Sequence, residues 1–149
     1  MRNFAHLLIF AAVTLLITSC CACRSYQKKT RRPLVGTEWQ LIRLGGQDLT
    51  PKAGTYTIVL SEQGTLSGMG SCNRIMGNYK TTEKRALKIE SLGTTRMMCP
   101  DSKGEQDFVA ALEATTHYEM DGPMLLLLAN GELRAVLKAL PEQSGNAKQ

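Results

Sequence analysis

Histidine is scarce in this chain of 149 residues: there are two, His6 and His117. A serine-histidine-acid triad could still be built around His117, but no Gly-x-Ser-x-Gly elbow is present to supply the nucleophile. Between Leu34 and Leu140 no Cys-x-x-Cys or paired-histidine spacing occurs, so a zinc site there has no recognisable frame. No apolar run reaches the roughly 20 residues that a membrane-spanning helix requires; the longest, Leu7 to Ile17, has eleven. The chain also lacks an excess of positive charge where a fold could use it. The formal charge is +5, yet between Leu34 and Leu140 there are 11 basic and 12 acidic side chains. A nearly neutral folded part does not suit a nucleic-acid surface, whose affinity comes largely from phosphate contacts.

The excess charge sits near the start. Arg24, Lys28, Lys29, Arg31 and Arg32 follow one another with no acid among them. Ahead of them, Arg2 and the apolar stretch from Leu7 have the layout of a signal peptide. Ile17-Thr18-Ser19-Cys20 then resembles the lipobox of bacterial lipoproteins: an aliphatic residue, two small ones, and a thiol to carry lipid. Cys21 and Cys23 lack an aliphatic residue three places upstream. The expectation is a signal peptide over 1–19, a basic tether over 20–33 lipidated at Cys20, a domain over 34–140 and a disordered tail over 141–149. Two or three acyl chains would make attachment nearly permanent, and the tether is placed to meet anionic head groups. Position 21 is not aspartate, the retention signal of enteric bacteria, so the outer membrane is the expected site.

Within 34–140 the apolar residues alternate. Tyr56, Ile58 and Leu60 form one such set; Leu87 and Ile89 another; Leu133, Ala135 and Leu137 a third. Met124 to Leu128 is continuously apolar, and Asn130-Gly131 separates it from the last set, a strong hairpin signal. One helix interrupts the strands, with Ser102 and Glu105 as a capping box and Phe108, Val109, Leu112 and Thr115 at helical spacing. The pattern predicts an α+β fold: a small antiparallel, partly barrel-like sheet with one helix packed on it. His117 is expected at the end of that helix, partly exposed. Gly68 and Gly70 lead into a turn, not a helix, so they are expected to allow close backbone approach or positive φ and not to cradle phosphate.

Cys72 and Cys99 are the only cysteines inside the domain, and an exported chain meets oxidising conditions. A disulfide between them is the natural pairing, worth about 3–4 kcal/mol in the chain-entropy model. Buried thiols packing as small hydrophobes are the alternative, and a zinc site with His117 is a remote third. If the two cysteines meet, Asn73, Arg74 and Arg96 come together and could form a polar site for an anionic ligand or a partner carboxylate. The plainer reading is that Asn73 fixes a turn and the arginines pair with local acids.

Three strings, Leu34-Val35-Gly36-Thr37-Glu38-Trp39-Gln40-Leu41, Gly70-Ser71-Cys72-Asn73-Arg74 with Gly77 and Tyr79, and Thr94-Thr95-Arg96-Met97-Met98-Cys99, together resemble the META domain, also known as HslJ-like. The resemblance runs from about Leu34 to Ala139 and takes in Glu105, Phe108, Leu112 and the closing hairpin. Ser71 departs from it, since glycine is common there. The resemblance implies a compact α+β domain carried on secreted or lipid-anchored bacterial proteins. Members are linked to heat shock, novobiocin resistance and, in distant eukaryotic relatives, motility and virulence. It supplies no catalytic residues, cofactor or metal ligands.

The functional expectation is therefore a non-enzymatic envelope lipoprotein whose domain binds a protein or envelope component, with a stress role. The alternative is a domain that binds a small hydrophobic or anionic compound. Cys20→Ala should leave the protein without lipid; normal metabolic labelling of that variant with radioactive palmitate would overturn the anchor.

Overall fold

The computed structural model describes residues 25–141. Cys20, Cys21, Cys23, the signal peptide and nearly all of the expected tail lie outside them. A short helix, α1, covers residues 25–30. Strands β1 (Glu38–Leu44), β2 (Gln47–Asp48), β3 (Thr57–Leu60), β4 (Thr65–Met69), β5 (Arg74–Thr81) and β6 (Leu87–Thr94) follow. After helix α2 (Ser102–Glu113) come β7 (His117–Asp121), β8 (Met124–Ala129) and β9 (Glu132–Ala139).

The alternating segments are strands because each has one face to bury. Ile58 and Leu60, Leu87 and Ile89, and Ala135 and Leu137 all point into a core that also holds Trp39, Leu41, Leu66, Ile75, Leu125 and Leu127. Every strand pair is antiparallel, in the order β6-β5-β4-β3-β1-β9-β8-β7, with β2 attached to β1. The sheet curls without closing. Its edge strands meet at one bridge, Ala86 with His117, flanked by Leu87 N–H donating to Thr116 O and Tyr118 N–H to Arg85 O, both at 3.0 Å. Helix α2 covers the remaining opening, packing on β6, β1 and β9 with Phe108 and Leu112 fully buried.

The Asn130-Gly131 hairpin forms as the dipeptide predicts. Ala129 pairs with Glu132, and both loop residues have positive φ, 51° and 85°, as a type I′ turn demands.

Several local expectations are corrected. The segment 20–33 is not tether alone, since α1 forms within it and Gln27 donates to Asp121 Oδ1 at 2.8 Å. Among the described residues there are therefore two helices where one was expected. The cap of α2 is Asp101, whose Oδ1 accepts from Gly104 N at 3.0 Å, so Ser102 is the first helical residue. Aspartate and serine cap equally well, and here Glu105 is turned inward and unavailable for a capping box. His117 lies exposed on β7, beyond the helix end at Ala114. Leu133 follows the alternation of β9 but sits next to the hairpin, past the core, and is 41% exposed.

Phe108→Ala should cost about 3–5 kcal/mol, the usual range for emptying a fully buried aromatic site. Urea unfolding that moved the midpoint by less than the equivalent of about 1 kcal/mol would show that α2 does not seal the core.

Candidate interaction groove

The carboxylate of Glu105 is buried where α2 meets the β4–β5 turn. Oε2 accepts from Ser71 Oγ at 3.1 Å, Cys72 N at 3.2 Å and Asn73 N at 3.1 Å, while Oε1 accepts from Asn73 Nδ2 at 2.6 Å. Burial pushes its pKa up, but these four donors outweigh that cost and hold it below the ordinary glutamate range. Gly70 is required beside it, because a Cβ there would stand 2.4 Å from Oε2. Gly68 has a similar constraint, with a Cβ falling 2.1 Å from Thr57 O. Close approach, and not positive φ, explains both glycines.

Asn73 extends the network to the segment after β6. Its Oδ1 accepts from Met97 N at 2.7 Å and Thr95 Oγ1 at 2.9 Å, and Nδ2 also donates to Met97 O at 3.2 Å. Cys72 and Cys99 are joined in a disulfide, with Cα atoms 5.9 Å apart. Asn73 is buried with its amide committed to the fold, so it is a brace and not a ligand-binding group. Arg96 follows the residue whose backbone pairs with Arg74. Thr95 N–H donates to Arg74 O at 3.1 Å, and both arginines are exposed, with no ion pair among the described residues. Met97 and Met98 beside them are exposed.

A larger feature was not foreseen. Between α2 and the segment 44–51 runs a groove of about 780 Å³. Leu44, Leu49, Tyr56, Ala110 and Ala111 give it apolar walls; Asp101, Lys103, Asp107 and Arg134 add charge of both signs. Tyr56 is its most constrained member. Its φ is 53°, an unusual value for a bulky residue, and three contacts fix it there. Tyr56 N–H donates to Gly70 O at 3.0 Å, its ring meets Phe108 edge-on at 5.8 Å, and its hydroxyl bonds to the Asp101 carboxylate. Burial and that carboxylate push the phenol's pKa up, while the phenol and then the Gly104 N–H pull that of Asp101 down. A Cβ at Gly104 would lie 2.8 Å from the Tyr56 hydroxyl, which explains a glycine in the first turn of α2. The sequence carries Asp101, Gly104 and Tyr56 plainly, but nothing in their spacing connects a strand tyrosine to a helix cap 45 residues away.

The family model described as the META domain matches residues 32–142. The chain belongs to the META domain family. Among solved structures, it is similar to an NMR structure of a protein from Burkholderia xenovorans, at 27% identity over 73% of this chain and 85% of that one, with a TM-score of 0.56. A DUF4847 family protein from Bacteroides vulgatus is similar at 18% identity over 74% of this chain and 96% of that one, also with a TM-score of 0.56. The second likeness is one of fold alone. No curated protein matches. In this META domain, then, the glycine-serine-cysteine-asparagine string and the acidic helix residue are two halves of one buried network.

Glu105→Gln replaces two acceptors with one and turns an amide toward backbone N–H groups, at a cost of about 2–3 kcal/mol. Because the folded pKa lies below the ordinary 4.5, the wild-type carboxylate contributes fully above that value and loses its contribution as pH falls through the folded pKa. The stability gap between wild type and variant should therefore be widest near neutrality and shrink below about pH 4. A gap that stayed constant from pH 7 to pH 3 in urea titrations would contradict this account.

Proposed function

We propose that this protein is an envelope lipoprotein, held by lipid on Cys20 with the outer membrane favoured, and that its META domain is a non-enzymatic module binding a protein segment or another envelope component. The groove between α2 and the segment 44–51 carries the reading. It is neither enclosed nor flat, and its apolar walls lie among side chains of both charges. A small apolar ligand is usually buried over most of its surface. An open groove with a rigidly held tyrosine is better suited to an extended partner, which gains from aromatic anchors and a polar margin. The volume falls within the range of small-molecule sites, which supports capture of a small compound as the second reading. For the non-enzymatic reading, the support is that Glu105 and Asp101 are committed to structural hydrogen bonds and His117 is exposed on β7. A stress role rests on the family's heat-shock association; a protein level unchanged by heat shock would count against it.

The test is cross-linking of the lipidated protein in its native cells, followed by purification in mild detergent. Ala110→Arg places a long cation in the groove from an exposed position, and Arg74→Ala with Arg96→Ala removes the other candidate patch. One partner near stoichiometric amount, reduced at least tenfold by Ala110→Arg alone, is the expected result. Loss only in the arginine variant would move the site to the Arg74 and Arg96 patch. Absence of any specific partner in the wild type would favour the small-ligand reading.

A further inference from the structure

We infer that the face made by α1, the β7–β8 turn and Arg85 is a contact surface for anionic lipid head groups, and that it turns the groove away from the bilayer. The inference rests on the lipid anchor at Cys20 proposed above. The helix is held against the domain at a defined place. Gln27 Nε2 donates to Asp121 Oδ1 at 2.8 Å, and Gly122, with φ 54°, leaves room for the helix, since a Cβ there would be 2.8 Å from Thr30 Oγ1. Within α1, Thr30 Oγ1 donates to Tyr26 O at 2.8 Å, and Arg31 N–H to Gln27 O at 3.0 Å.

The charge of this face is one-sided. Lys28, Lys29, Arg31 and Arg32 are all exposed, and no acid lies between Ser25 and Pro33. Lys28, Arg31 and Arg85 line a common hollow of about 570 Å³ with Met120. The neighbouring acids leave that excess standing: Glu119 offsets Arg85, and Asp121, which accepts from Gln27, offsets one of the four basic side chains of the α1 segment. Tyr26 is 63% exposed on the same helix, an amphipathic side chain suited to the head-group zone. Position fixes the partner. Cys20 precedes Ser25 by five residues, at most about 18 Å of extended chain, so lipid on Cys20 brings a bilayer to this face before any other partner.

The register then sets the groove's direction. Next to Gly122, Ala139 N–H donates to Pro123 O at 2.9 Å and Met124 pairs with Lys138. Toward the other end of β9, Leu44 of β1 pairs with Ala135, and Leu44, Gly45 and Arg134 line the groove. Four to five residues of strand separate the two ends, about 15 Å.

The test reconstitutes the lipidated full chain in vesicles of phosphatidylcholine alone, or of phosphatidylcholine mixed with phosphatidylglycerol, and reads amine acylation of each lysine by mass spectrometry. Lys28 and Lys29 should be acylated several-fold more slowly on the anionic vesicles, with Lys103 in the groove unchanged. In Lys28→Gln/Arg31→Gln the protection of Lys29 should disappear, and the same pair of substitutions in the unlipidated Cys20→Ala chain should weaken its flotation with anionic vesicles roughly 25-fold, at about fivefold per charge removed. Equal acylation of Lys28 and Lys29 on both vesicles, with lipid on Cys20 confirmed by intact mass, would overturn the surface, and protection of Lys103 would overturn the orientation. If intact mass shows no lipid on Cys20, the anchor alone fails. Flotation of the unlipidated wild type with anionic vesicles at low salt would still support the surface, and no flotation, or flotation equal for both compositions, would overturn it.

Discussion

A carboxylate removed from water is destabilising unless its lone pairs are met, and the middle of this domain is organised around meeting those of Glu105. Two backbone N–H groups, one hydroxyl and one side-chain amide converge on it. The donors come from the β4–β5 turn, and the Asn73 amide continues the network to the segment after β6. One side chain of α2 thus ties together the helix, a tight turn and a long loop, three elements that hydrophobic burial alone would leave free to slide. Phe108 and Leu112, one and two turns further on, fill the core, so the same helix carries the apolar seal and the polar lock.

That arrangement explains which glycines are unavoidable. Gly70 stands where a methyl group would displace the carboxylate, and Gly104 where one would strike the Tyr56 hydroxyl and the Asp101 carboxylate. Glycine early in a helix is unfavourable by up to about 1 kcal/mol relative to alanine. Here it makes room for the Tyr56–Asp101 bond, one of the contacts that set the groove wall. Tyr56 is held in a left-handed conformation by contacts on three sides, so the groove has at least one wall that does not adjust to whatever enters it.

The sheet was legible because its signals are local. Alternation at Ile58 and Leu60 or at Ala135 and Leu137, and Asn130-Gly131 between two apolar segments, each report on a few adjacent residues. The pair Cys72 and Cys99 could be singled out by counting, since only two cysteines fall inside the domain, and the structure brings their Cα atoms to 5.9 Å. The site was far less so. Glu105 has the spacing of a capping residue and is used 32 residues away in sequence, on Asn73. The groove arises where a helix passes a loop, and no periodicity encodes that meeting. Helix α1 escaped notice because a short, polar, basic segment looks the same whether it floats or is pinned by one glutamine and one glycine.

The bonds from Glu105 and Asn73 reach both cysteine-bearing segments: Cys72 through its own N–H, and the Cys99 segment through Met97. Both cysteines are thus brought into register by groups that are not sulfur. Four thiols remain once Cys20 is set aside, and they could pair in three ways. A network that aligns Cys72 with Cys99 acts as a template for oxidation, so that this cross-link is favoured once the segments bearing the two cysteines have come together.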